Sequence, residues 1–327
     1  MLRVFANATV TNAPYGGANS FLRALYAALR ERGVRLTHDV NEHVDVALLN
    51  ALTDGLTAAT AQTLNARGIP VVHRRVGYAV SGSPEMRAVH DGVVEGDRQQ
   101  LAFDPYVRRV IFQSAYSAEV FRSSGFTGNA TIIHNGTDSR IFGLYDRRLP
   151  LRRPRRRAFW DGNETFHFAI TSWSKDERKG FAYFRQFDEE LRELPNVSVT
   201  YMGRVPDGLS FDRIAVHAPR PARDLGRFLR QCHGFLAFSE KETCSNALLE
   251  GINSGLQVIY LDSGANAELA ENYGVRFEGS LTDAVSALLS GYEERRARSR
   301  EHPFDIGPVA ERYLEVFRHA IEEGPVA

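Results

Sequence analysis

Cysteine is nearly absent: among 327 residues only Cys232 and Cys244 occur. Two thiols cannot build the disulfide framework of a small secreted fold, so a reducing, cytoplasmic setting with both cysteines unpaired is expected. Long apolar runs are missing too. No stretch of about 18 apolar residues occurs, which leaves nothing to span a bilayer. The opening MLRVFANATV is short and has no cleavage-site pattern, so it reads as a first strand and not as a signal peptide. Neither sign of charge is in excess: 40 Lys+Arg balance 40 Asp+Glu. No global field therefore favours nucleic acid or an acidic partner. Also lacking are an Asp-x-Asp pair, a Cys/His cluster at zinc spacing and a Gly-x-Gly-x-x-Gly after a strand. Their absence argues against a bound metal and against a nicotinamide-linked dehydrogenase, and no cofactor is expected.

What remains is an ordinary globular composition, 43% hydrophobic and 24% charged, in a chain long enough for two domains. Strand-like and helix-like segments alternate, which argues for parallel sheets covered by helices. LRVFANATV, DVALLNA, IPVVHR and RRVIFQS read as strands. SFLRALYAALRERG reads as a helix capped by Asn19 or Ser20 and stopped by Gly33, and AYSAEVFRSSG as another. A segment without periodicity follows, carrying Pro150, Pro154 and seven arginines between Arg147 and Arg157. Alternation resumes at FHFAITSWS, and DIGPVAERYLEVFRHAIEEG is an amphipathic helix with Val309, Tyr313, Leu314, Val316 and Phe317 on one side. The expected fold class is α/β, with doubly wound domains at 1–145 and 165–305, an Arg-rich linker at 146–164 and a C-terminal helix at 306–327. Ligands of such sheets bind at the carboxyl ends of the strands.

The stretch from Phe238 to Gly264, FSEKETCSNALLEGINSGLQVIYLDSG, carries the chemistry. A strand ends near Ser239, a polar loop follows, and Ser245 is placed to cap a helix bearing Leu248, Leu249 and Ile252. Amides at such a helix start favour phosphate. Glu242 in the loop and Glu250 in the second turn do not bind phosphate, but they accept hydrogen bonds from hydroxyls. Together they suit a ligand with both groups, as a nucleotide-sugar has. From spacing alone, an exposed loop charge at Glu242 and a surface helix residue at Glu250 read equally well.

The pattern S-x-x-E-x7-E, followed by GLQVI and DSGANAE, resembles the signature of retaining glycosyltransferases of family 4. APYGGANSFLRAL resembles that family's Gly-Gly loop and first helix, IIHNGTDSRIF its Asn-Gly-x-Asp-x-x-x-Phe segment, and DERKGF its Lys-Gly, in the same order and at matching separations. The resemblance covers most of the chain. It implies the GT-B architecture, two Rossmann-like domains facing across a cleft, and transfer of a sugar from a UDP- or GDP-linked donor to an acceptor hydroxyl. By the same resemblance Glu242 meets the transferred sugar, Glu250 the ribose hydroxyls, and the backbone of Thr243, Cys244, Ser245 and Asn246 the sugar and diphosphate. Lys179 offsets diphosphate charge as the leaving group departs. Gly16 and Gly17 let backbone amides approach the phosphates. In the account favoured for that family no enzyme nucleophile is needed: the leaving phosphate takes the acceptor proton. The first domain is expected to bind the acceptor, and the last helix to return to it.

Two departures stand out. The family's Gly-Arg pair is replaced by Ser172 and Trp173, which leaves Arg178 or Lys175 as candidate second cations. The loop after Glu242 reads TCSN where many relatives have Phe-Gly, and Ser245 and Asn246 offer side-chain hydrogen bonds that Phe-Gly would not, which puts the donor sugar in question. His73 ends IPVVH; it reads either as a histidine facing donor and acceptor or as one bonded to nearby backbone. Arg74, Arg75 and Tyr78 read as an acceptor site for a carboxylate or phosphate, or as a solvated loop. The acceptor class is a glycan, a lipid-linked sugar or a small molecule. The arginine cluster reads first as a solvated loop and second as peripheral membrane contact on the cytoplasmic face. Competing readings are a GT-B nucleotide-sugar epimerase, a sugar phosphorylase and a non-catalytic nucleotide-sugar-binding protein.

Overall fold

Short runs of β-branched and aliphatic residues become strands here because both faces of each sheet are covered, so the apolar residues need not alternate. Val46–Asn50 and Val71–Arg75 are buried at every position. The computed structural model of the chain describes residues 1–11, 17–76, 99–144, 160–299 and 301–326. The expectations for Gly16, Tyr78 and the arginine cluster at 147–157 lie outside the described residues. The chain divides into two compact units: one of Met1–Val10, Leu22–Asn135 and Gly307–Ala327, the other of Thr11–Phe21 and Gly136–Ile306.

The first sheet contains β1 (Arg3–Ala6), β2 (Arg35–Thr37), β3 (Val46–Asn50), β4 (Val71–Arg75), β5 (Arg109–Phe112) and β6 (Ala130–Ile132). Their order is β2-β1-β3-β4-β5-β6, and every neighbouring pair is parallel. Among its helices are α1 (Gly17–Glu31), α2 (Ala58–Ala66) and α3 (Ala115–Ser123). Helix α1 starts earlier than its sequence suggests. Asn19 is not its cap but lies inside it, accepting from the Thr11 N–H (2.8 Å) and donating to the Thr11 carbonyl (3.1 Å). Gly33, at φ 79°, follows the helix as expected. Phe5, Leu49, Leu64, Val71 and Phe103 form one apolar cluster, and Phe112, Phe121 and Phe126 anchor another.

The second unit opens on α4 (Ser139–Phe142) and holds β7 (Phe166–Ser172), β8 (Val197–Gly203), β9 (Ala215–His217), β10 (Gly234–Ala237), β11 (Gln257–Tyr260) and β12 (Gly274–Arg276). This sheet, β12-β11-β10-β7-β8-β9, is also parallel throughout. Its helices include α5 (Phe181–Glu190), α6 (Ala222–Leu229), α7 (Asn246–Asn253), α8 (Asn266–Ala270), α9 (Leu281–Ser290) and α10 (Tyr292–Ser299). The core is aromatic: Phe181, Phe184 and Phe187 of α5 pack with Tyr201, Phe238 and Phe277, and the Phe187 and Phe238 rings lie 4.7 Å apart. Residues 136–142 group with this unit instead of closing the first one. The Thr137 N–H donates to the Phe304 carbonyl (2.8 Å), and Ile306 donates to Thr137 (3.0 Å).

The final helix, α11 (Ile306–Glu323), buries Val309, Tyr313, Leu314, Val316 and Phe317. From Gly307 it belongs to the first unit. There Glu323 pairs with Arg109, and Val326 and Asn65 exchange two hydrogen bonds of 2.8 Å. Among the described residues no helix is long and apolar enough to cross a membrane.

Candidate functional site

In the second sheet the chain runs β7-β8-β9 to one side and then returns to place β10 on the other side of β7. The loops leaving β7 and β10 therefore diverge at the carboxyl ends of adjacent strands, the point where doubly wound sheets open a ligand crevice. Both chemistry-bearing loops start here. After β7 a 3-10 turn, Glu177–Lys179, ends at Gly180 in the left-handed region (φ 94°). A Cβ at Gly180 would sit 2.6 Å from the Phe238 Cβ and 2.7 Å from its carbonyl oxygen, so only glycine lets this turn rest on the end of β10. The Glu240 N–H donates to the Arg178 carbonyl (2.7 Å), tying the two loops together.

The loop after β10 is bent at Lys241, a non-glycine residue at φ 52°. Such a conformation persists only where its surroundings impose it. They do so from the 262–266 loop. The Lys241 N–H donates to Ser263 Oγ (2.9 Å), the Ala265 N–H to the Glu242 carbonyl (2.9 Å), and Asn266 Nδ2 to the Ser239 carbonyl (2.8 Å). Gly264 (φ 61°) lies so close that a Cβ would come within 2.4 Å of the Glu242 carbonyl oxygen. The outcome is one contact: Lys179 Nζ donates to Glu242 Oε2 at 2.6 Å, each side chain about a quarter exposed (24% and 29%). A small cavity beside it is lined by Lys179, Ser239, Ser245 and Asn266 over Ile170 and Leu236.

Helix α7 begins beside this pair. Ser245 is its N-cap, accepting from the Leu248 N–H (3.4 Å) as its sequence suggests. Thr243, Cys244 and Ser245 are buried and Asn246 is half-buried. Glu250 is only 9% exposed, which rules out a surface helix residue. Glu242, paired and half-buried, is not a bare loop charge either. Of the proposed auxiliary cations, Arg178 grips Asp176 (2.7 Å), and that pairing lowers the Asp176 pKa and raises that of Arg178. Lys175 pairs with Asp207 (2.5 Å). Ser172 spends its hydroxyl on Ser174, accepting from its N–H and donating to its carbonyl. Gly17 is the first residue of α1.

The first-unit candidates differ from expectation. Strand β4 continues through Arg75, so His73 stands mid-strand and not at its end. It is fully buried, with Nε2 3.1 Å from the Ala51 carbonyl, Nδ1 accepting from Arg75 Nε (3.4 Å) and the ring 4.6 Å from Phe103. Burial, and then the Arg75 charge, push its pKa down to about 3, so the ring is neutral. This is the backbone-bonded histidine of the two readings. Arg74 and Arg75 are 1% and 0% exposed, which overturns a solvated loop. Arg74 donates to Asn50 (2.6 Å), Gln113 (2.8 Å) and Asn135 (2.8 Å). Arg75 pairs with Asp104 and lies over the rings of Phe126 and Phe121.

Sequence reasoning assigned no role to Gly180, Lys241, Gly264 or Asn266. Lys241 was hidden because its role comes from φ; Gly180 and Gly264 fall inside the DERKGF and DSGANAE segments, but why they must be glycine comes from φ and close approach, which the motifs do not show. Asn266 lies within the DSGANAE segment, so that motif was its only signal.

No family model matches the sequence, and no curated protein sequence does. Solved structures do. Sucrose-phosphate synthase from Thermosynechococcus elongatus aligns at TM-score 0.72 and 14% identity over 99% of this chain and 100% of that one. AviGT4, a glycosyltransferase involved in avilamycin A biosynthesis, aligns at TM-score 0.68 and 16% identity over the whole of both chains. HepE from Anabaena in complex with UDP aligns at TM-score 0.67 and 14% identity over 98% and 100%. At these identities the likeness speaks to architecture. With its two parallel six-stranded sheets and flanking helices, this chain has the GT-B fold of glycosyltransferases.

Proposed function

We propose that the chain is a retaining, metal-independent glycosyltransferase that moves a sugar from a nucleoside diphosphate to an acceptor hydroxyl. The observation that carries this reading is the Lys179–Glu242 pair at the switch point of the second sheet, beside the start of α7. An ammonium and a row of amides suit a diphosphate, and a carboxylate beside them suits sugar hydroxyls. In this reading Lys179 offsets charge on the leaving diphosphate, Glu242 holds the sugar, and the buried Glu250 accepts from the ribose. The HepE structures, which hold UDP and UDP with glucose, make UDP-sugars the first donors to try. The acceptor, in a glycan, a lipid-linked sugar or a small molecule, belongs with the first unit.

Thermal unfolding measured with UDP, GDP and their hexose conjugates tests the donor assignment, because a ligand bound only to the folded state raises the midpoint once its concentration exceeds its Kd. No shift at millimolar concentration with any of them would remove the donor site. Turnover in the presence of EDTA tests metal independence. The anomeric configuration of the product, read by proton NMR, tests retention.

A further inference from the structure

The loops after β7 and β8 carry five cationic side chains, Lys175, Arg178, Lys179, Arg204 and Arg213, and three of them are neutralised. Lys175 pairs with Asp207, Arg178 with Asp176, and Lys179 with Glu242. Of the other two, Arg213 lies at the far end of the loop just before β9, and Arg204, directly after β8, makes no side-chain hydrogen bond or ion pair among the described residues. Its guanidinium instead lies over the Trp173 ring, 4.4 Å from the centroid. The backbone beneath it is held firmly. Gly203 approaches Ser172 so closely that a Cβ would meet its carbonyl oxygen at 2.0 Å, and the Arg204 N–H donates to that same oxygen (3.1 Å). The Tyr201 hydroxyl donates to the Arg204 carbonyl (2.9 Å). An aromatic face attracts the cation while leaving its N–H donors unused. Strands β7 and β8 pair in parallel up to Ser172 and Gly203, so Arg204 and the Lys179 turn leave the sheet at the same end.

We infer that Arg204, held on Trp173, is the second phosphate-binding cation of the donor site. This rests on the reading of that site as a nucleoside-diphosphate site. A diphosphate brings several negative charges to a place where the Lys179 ammonium is already balanced by Glu242, so an unneutralised, pre-oriented cation supplies the missing attraction. The planar fork suits two phosphate oxygens. Trp173 then acts as a positioning residue, limiting the orientations Arg204 must give up on binding.

Calorimetric titration of the full chain with UDP and GDP, each beside its bare nucleoside, tests the assignment. Arg204→Ala should weaken diphosphate binding about 10- to 100-fold, as loss of a charged hydrogen-bonding partner does, and leave nucleoside binding unchanged. Arg204→Lys should recover part of the loss. If Arg204→Ala binds diphosphates like wild type while Lys179→Ala does not, Arg204 is excluded and the donor site stands. Equal weakening of nucleoside and diphosphate would make Arg204 a support for the base and overturn the proposal. If wild type binds neither diphosphate, the donor site and this inference fall together.

Discussion

Two residues meet at the switch point although 63 positions separate them in the chain. Neither is deeply buried, so their pairing contributes little to stability; its consequence is a placed carboxylate beside a placed ammonium. Glu242→Ala and Lys179→Ala should each cut turnover by a factor of about 10²–10³, in line with removal of one preorganised charged partner. Far-ultraviolet circular dichroism and the thermal midpoint should stay near wild type. A variant that keeps more than about half of wild-type turnover would take that residue out of the reaction. His73 makes a different residue-level claim. Folded, it stays neutral down to about pH 3, whereas the unfolded chain takes up the proton near 6.5. Between these values the unfolded state binds more protons, so stability falls as pH drops, by up to about 1.4 kcal/mol per pH unit. From pH 7 to pH 5, urea unfolding should show wild type losing about 2 kcal/mol more than His73→Gln. Equal losses would show that the folded protein accommodates the charged ring.

The elements around the site are short, and their ends matter more than their lengths. Helix α7 is eight residues long and starts where Ser245 receives the Leu248 N–H. Its sequence announced that start, because a serine before an apolar helical pattern is a local signal. Gly180, between the 3-10 turn and α5, is the glycine of the Lys-Gly motif, but nothing local announced why glycine is required there. It combines a left-handed φ with contact against Phe238, so Gly180→Ala should destabilise the second unit by about 2–4 kcal/mol. Displacing the turn also moves Lys179, and nucleotide affinity should fall along with the urea midpoint. An Ala variant with an unchanged midpoint would show that the turn has room to shift. Strands β2, β6, β9 and β12, three residues each, were too short for periodicity to reveal. Only pairing with a neighbouring strand makes them strands.

At the scale of the whole molecule, the second unit is closed by side chains from distant parts of the sequence. Asn253, fully buried at the end of α7, donates to Thr137 Oγ1 (2.6 Å) and accepts from the Phe304 N–H (3.1 Å). Asn253→Leu removes both bonds from a fully buried site, so a loss of about 2–4 kcal/mol is expected in urea unfolding. A loss below about 0.5 kcal/mol would show the two segments held by other contacts. Asn253 also explains why residues 136–142 group with the second unit, although their sequence reads as the end of the first.

The sequence by itself determined the fold class and nominated the residues of the candidate site. Alternating apolar segments called for two doubly wound sheets, and ordered motifs singled out Lys179, Glu242 and Glu250. These are local patterns, and local patterns survive in one dimension. Only the tertiary structure decided that Lys179 and Glu242 touch, that His73, Arg74 and Arg75 are buried in a strand, and that Arg204 lies on Trp173. Each of these depends on where the sheet order brings distant segments together and on which side chains that order hides from water. No spacing along the chain encodes either quantity.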